Sequence, residues 1–132
     1  MLDTNIFDRL DDDPEAAFEL ENRRDLRLLV SEIQLAQLAA IPDAGHRERC
    51  LEMARRLCST VSASLARLDE TGGAKAPGAD RHEPDRMIAA ATAARCDMLV
   101  SDDRGLLEYA RAAGVKSMDW DRFVGRIVFR RP

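Results

Sequence analysis

A short apolar run, Met98-Leu99-Val100, stops abruptly at Ser101-Asp102-Asp103, and a helix-like stretch follows from Gly105. This feature limits the chain's folding options more than any other. A run of that length suits a buried strand, and the polar break turns the chain into a helix. The pattern recurs: Met1-Leu2 ends in Asp3-Thr4-Asn5, and Arg27-Leu28-Leu29-Val30 ends in Ser31. Strands that alternate with helices imply an α/β class with a parallel sheet covered on both faces. Ligands of such sheets sit at the carboxyl ends of the strands, where Asp3 and Asp103 fall.

The intervening segments read as helices with recognisable ends. Residues 5–10 form the first, and Asp11-Asp12-Asp13-Pro14 interrupts it. Pro14 suits the first position of a second helix, to about residue 23, with Asp13 as its cap and Ala17, Phe18 and Leu20 among its buried residues. Ser31 and Gln34 have the spacing of a capping box for a helix over 32–40. Leu51, Ala54, Leu57 and Cys58 recur at helical spacing, so a long helix is expected over 47–57, with an extension to 65 left open. Gly72-Gly73, Pro77-Gly78 and Pro84 make 71–84 a loop. The Ala-rich stretch 85–95, opened by Asp85, reads as a buried helix close to the sheet. After the strand at 98–100 come a helix at 105–113, a stop at Gly114, a strand at 115–118 and a last helix at 121–127.

The 132 residues fit one domain, 1–132, with a core of Ala, Leu, Val, Ile and Met. No apolar run reaches the ~18 residues of a membrane span, so no membrane partner and a cytoplasmic chain are expected. Three cysteines suit a reducing compartment. Cys50 and Cys58, on one helix, would lie ~12 Å apart, too far for a disulfide. No Cys-x-x-Cys spacing suggests zinc, and His46 and His82 read as exposed side chains in polar, loop-like settings. The net charge of −4 does not advertise nucleic-acid binding, and the arginines read as a solvated surface.

Asp3, Asp85 and Asp103 are the candidate site. At an effective dielectric of ~20, two carboxylates ~5 Å apart repel by about 3 kcal/mol. Gathered in one pocket, these acids would need protonation or a cation. Oxygen-only ligands select hard ions, Mg²⁺ or Mn²⁺, which activate water and clamp phosphate. Hydrolysis of a phosphodiester is the chemistry suggested. The structural reading competes at each position: Asp85 serves as a helix cap, and Asp102 with Asp103 as a turn and a cap.

Three motifs carry a resemblance: Leu-Asp-Thr-Asn at 2–5, Asp-x-x-Ile-Ala-Ala-Ala at 85–91 and Leu-Val-Ser-Asp-Asp at 99–103. Val-Ser-x-Ile-x-Leu-Ala-Gln-Leu at 30–38 adds a fourth. Their order and spacing resemble the PIN-domain family, and within it the VapC-type toxins of bacterial toxin–antitoxin pairs. The resemblance implies a three-layer α/β/α sandwich on a central parallel sheet of about five strands. It implies a Mg²⁺- or Mn²⁺-dependent endoribonuclease cutting RNA with metal-activated water, an antitoxin protein as partner, and a homodimer. Asp3, Asp85 and Asp103 match the family's metal-binding, catalytic acids. Thr4 or Asn5 and Ser101 match its supporting polar residues.

The chain departs from the family at two places. Gln37 stands where a Glu is usual, which keeps the shape and loses a charge. Glu32 is a poor substitute, since five residues along a helix turn the side chain by ~140° net. Asp102 or Asp80 is the candidate for the missing charge. Only Met1 and Leu2 precede Asp3, so a native start upstream is expected.

A catalytically weakened PIN-like binding or assembly module is the alternative that Gln37 favours. A phosphoryl-transfer α/β domain fits worse. Asp3-Thr4-Asn5 lacks the second acid of a haloacid-dehalogenase-type phosphatase. Lys116 stands at the wrong end of its strand for a receiver domain.

Overall fold

The computed structural model describes residues 1–62, 92 and 96–130. Helices dominate it. In chain order they are α1 (Thr4–Asp12), α2 (Pro14–Asn22), α3 (Glu32–Ala39), α4 (Ala44–Leu57), α5 (Arg104–Ala112) and α6 (Trp120–Phe123), the last running into a π-turn at Val124–Val128. The strands are β1 (Leu29–Ser31), β2 (Ser59–Val61), β3 (Leu99–Val100) and β4 (Ser117–Met118).

The expected five-strand sheet and α/β/α sandwich are not what the chain forms. Among the described residues β1 pairs with β2, and β3 with β4, as two separate two-stranded parallel sheets. The amino-terminal run Met1–Asp3, expected as a strand, makes one isolated bridge, Leu2 to Val100. Its backbone still ties the two sheets: Leu2 N–H donates to Leu29 O (2.9 Å) and Asp3 N–H to Val100 O (2.9 Å). The cause is length. A strand usually has about five or six residues. Here each apolar run is cut after two or three residues, at Asp3, Ser31 or Ser101, and a helix opens at once or, after Ser101, at the Asp103 cap. The alternation that suggested a sheet is real, but the runs are too short to extend the ladders.

The short runs nonetheless organise the core. Successive residues of a strand face opposite sides. Leu2, Val30 and Val100 enter the larger apolar cluster with Ile6, Phe7, Leu10 and Leu38. Met1, Leu29 and Leu99 enter a smaller one with Leu106, Ala110 and Val115.

Several helix ends follow their sequence signals. Asp13 Oδ1 accepts from Ala16 N–H at 3.1 Å, three residues on, with Pro14 as the first residue of the helix. The capping box at Ser31 and Gln34 is complete, with both reciprocal hydrogen bonds formed. Two local expectations fail. Phe18 is 64% exposed instead of buried. The fourth helix ends at Leu57 and does not continue to 65, because Ser59–Val61 leaves it to pair with β1. The loop at 71–84 and the helix at 85–95 lie outside the described residues.

Gly114 ends α5 with φ +78°, the only positive φ among the described residues. Its N–H bonds Arg111 O (3.0 Å), and Val115 N–H reaches back to Ala110 O (2.8 Å). This arrangement satisfies the helix's last carbonyls and seats Val115 in the smaller core. A Cβ at Gly114 meets nothing within 4 Å, so only the backbone conformation opposes a side chain. Gly114→Ala is expected to cost about 1 kcal/mol, read as a lower urea midpoint with an unchanged slope.

Candidate functional site

The hydroxyl of Ser101 is where the site is joined. It follows β3, is fully buried, and donates to Asp3 Oδ2 at 2.7 Å. The same oxygen accepts from the backbone N–H of Asp103 (3.0 Å) and, more loosely, from Asn5 Nδ2 (3.4 Å). One donor and two acceptor positions are all a hydroxyl has. Ser101 thus locks the carboxylate of Asp3 to the turn that carries Asp103.

The two acids differ in setting. Asp3 is 4% exposed, while Asp103 is exposed. Burial pushes the Asp3 carboxyl above its ordinary value of 3.8. The Ser101 hydrogen bond opposes that rise, and the negative charge of Asp103 adds a smaller push upward. The Gln34 side chain also opposes it, although its buried Nε2 has no partner at full hydrogen-bonding geometry. Thr4 Oγ1 lies 3.5 Å from Asp3 Oδ1. Asp103 also performs the structural task weighed against its functional one. Its Oδ1 accepts from Leu106 N–H (3.2 Å) and caps α5. Neither acid forms an ion pair with a cationic side chain among the described residues.

Asp102, held in reserve for the charge missing at Gln37, is otherwise employed. Its Oδ2 takes Arg9 Nε (2.7 Å), its Oδ1 takes Trp120 N–H (3.0 Å), and its own N–H donates to Asn5 Oδ1 (3.1 Å). It fastens α1 to the start of α6. Gln37 is half-buried, with Oε1 enclosed and unpartnered. Asp85 and Asp80 lie outside the described residues.

Sequence reasoning found Asp3, Ser101, Asn5 and Asp103, and the structure brings these together. It treated Gln34 only as half of a capping box. The same side chain gives its Oε1 to Ser31 N–H (2.7 Å) and turns its amide nitrogen towards the acid site. The i+3 spacing announces the first role and conceals the second. His46, expected in an exposed loop, is half-buried on α4 and pairs with Asp8 (2.6 Å) on α1.

No protein-family model matches the chain, and no curated protein matches it. No described helix is long and apolar enough to cross a membrane.

Proposed function

We propose that this protein is a metal-dependent endoribonuclease whose reacting centre lies at Asp3 and Asp103, with Asp85 as a third acid. The observation that carries the reading is the buried Asp3 carboxylate, tied by one Ser101 hydroxyl to the turn that bears a second acid. Perturbed, uncompensated carboxylates concentrate at functional sites.

The donor set fits a hard divalent cation. It offers only oxygen, and no cationic side chain neutralises either acid among the described residues. Asp3 and Asp103 would hold Mg²⁺ or Mn²⁺, which when bound supplies an activated water and offsets phosphate charge. The protein's own part is positioning. Ser101 fixes the rotation of the Asp3 carboxylate, and the Asp103 cap fixes the start of α5. Asn5 and Asp102 hold α1 against that turn. The motif resemblance supports RNA as substrate and an antitoxin as partner.

The test is cleavage of a mixed RNA substrate with Mg²⁺ or Mn²⁺. Cleavage is expected to stop on adding EDTA and to fall at least a hundredfold in Asp103→Asn. Asp103→Asn keeps a cap, because asparagine caps as well as aspartate. Cleavage that ignores EDTA, or an unimpaired Asp103→Asn, refutes the reading. Mn²⁺ binding without cleavage points to the weakened binding module instead.

A further inference from the structure

A second constellation lies where α1 meets α4 and has a different donor chemistry. Asp8 and Asp11 stand one turn apart on α1, and His46 and Cys50 one turn apart on α4. Residues three or four apart share a helix face, so two helices each present a pair to the other. Asp8 Oδ1 is 2.6 Å from His46 Nε2, and Cys50 Sγ is 3.8 Å from the same nitrogen. The ligating atoms of Asp8, His46 and Cys50 all lie within 4.8 Å of one another. Nδ1, the other ring nitrogen, faces Asp11 Oδ2 at 3.4 Å. Arg49 Nε in turn holds both oxygens of Asp11, at 3.1 and 3.2 Å.

We propose that Asp8, His46 and Cys50 form a site for Zn²⁺ or a similarly soft divalent ion, clamping α1 to α4. A thiolate, an imidazole and one carboxylate are a zinc donor set and a poor one for Mg²⁺. Ideal zinc–ligand lengths in a tetrahedron place sulfur and nitrogen about 3.5 Å apart and oxygen and nitrogen about 3.3 Å apart, so the 3.8 Å sulfur–nitrogen gap closes a little and the 2.6 Å Asp8–His46 contact opens to admit the ion. Asp11 occupies the place of the carboxylate that commonly orients a zinc-bound histidine through its second nitrogen. Cys50 Sγ lies almost equally far from both ring nitrogens, 3.9 Å from Nδ1 and 3.8 Å from Nε2; Asp11, held by Arg49, takes Nδ1 and leaves Nε2, the nitrogen nearest Asp8, as the ligating one. The fourth position is left to water.

Asp8, then Asp11, hold His46 above its ordinary pKa. Burial, with the same two carboxylates, pushes the Cys50 thiol up to about 11. A metal at this site takes an unprotonated His46 Nε2 and displaces the Cys50 thiol proton to solvent, so that the thiolate–metal bond replaces the S–H bond. Cys58 and Cys96 are also free thiols but belong to no such group among the described residues.

Cobalt(II) is the probe, added to chelator-treated full-length protein. One equivalent is expected to bind and to give the near-ultraviolet sulfur-to-cobalt charge-transfer band. Zn²⁺ should displace it, and the melting temperature should rise. Cys50→Ser should lose the band, and His46→Gln should weaken binding at least tenfold. Asp8→Asn alters an exposed side chain, so the fold is safe, and at least a tenfold loss is expected there too. Cys58→Ser and Asp3→Asn should leave the spectrum unchanged, which separates this site from the oxygen-only one. The proposal is overturned if cobalt gives no sulfur band, if the band survives Cys50→Ser, or if Asp8→Asn binds as tightly as the parent.

Discussion

Asp3→Asn is expected to abolish RNA cleavage, by a factor of a hundred or more, and to make the protein more stable at neutral pH. Asparagine keeps the shape, and its Oδ1 still accepts from the Ser101 hydroxyl, which Asp3 holds at 2.7 Å. What vanishes is a charge held in a buried place. The Asp3 carboxyl titrates above 3.8 in the folded protein, chiefly because burial disfavours the anion. Between the unfolded and folded values the native state therefore binds more protons than the unfolded state. Stability then falls as pH rises through that window, and the cost is fully present at neutral pH. Below 3.8 the acid is protonated in both states and this difference disappears.

The variant should gain about 1 kcal/mol at neutral pH, the usual scale for relieving a functional site of strain. Urea midpoints measured from acid to neutral pH read the effect. The wild-type midpoint should drop across the window relative to the variant, and added Mn²⁺ should restore it in the wild type alone. Equal pH profiles would show that Asp3 carries no such burden. A variant that still cuts RNA would remove it from the chemistry.

The acid pair was legible in the sequence because its signal is local. An apolar run followed by Ser-Asp-Asp fixes where β3 ends, and the chain has little choice about which end the acids occupy. The sheet was not legible in the same way. Pairing depends on run length and on partners distant in sequence. Met1–Asp3 bonds Leu29 and Val100, yet it bridges as a strand only at Leu2. The Asp8–His46 contact was hidden for the same reason, since 38 residues and a helix–helix packing separate the partners. Phe18 failed differently. An aromatic residue beside Ala17 and Leu20 suggests burial, but Ala16, Ala17 and Leu20 already define the buried stripe of α2, and position 18 falls outside it. Gln34 satisfied one rule so fully that a second role left no trace.

The largest loss of stability is expected from Phe7→Ala, which tests whether α1 is the strut that both sites lean on. The helix has Asp3 at its cap, Asn5 in its first turn, and Asp8 and Asp11 where it meets α4. Ile6, Phe7 and Leu10 form its buried stripe, and Phe7 is 0% exposed within the larger core. Removing a buried phenyl ring costs its transfer energy and leaves a cavity, typically ~3–5 kcal/mol in all. Against a total stability of roughly 5–15 kcal/mol, that is about a fifth of the fold or more. With a urea slope of about 1–3 kcal/mol per molar, the midpoint should fall by roughly 2 M. Phe18→Ala is the matched control on the neighbouring helix. That ring is 64% exposed, so its removal should change stability by no more than about 0.5 kcal/mol. Because one helix contributes a donor to each site, Phe7→Ala should weaken RNA cleavage and the cobalt signal together, at urea concentrations where the parent keeps both. Losing one and keeping the other would mean that the two sites are held by different parts of the chain, and that α1 is merely adjacent to each.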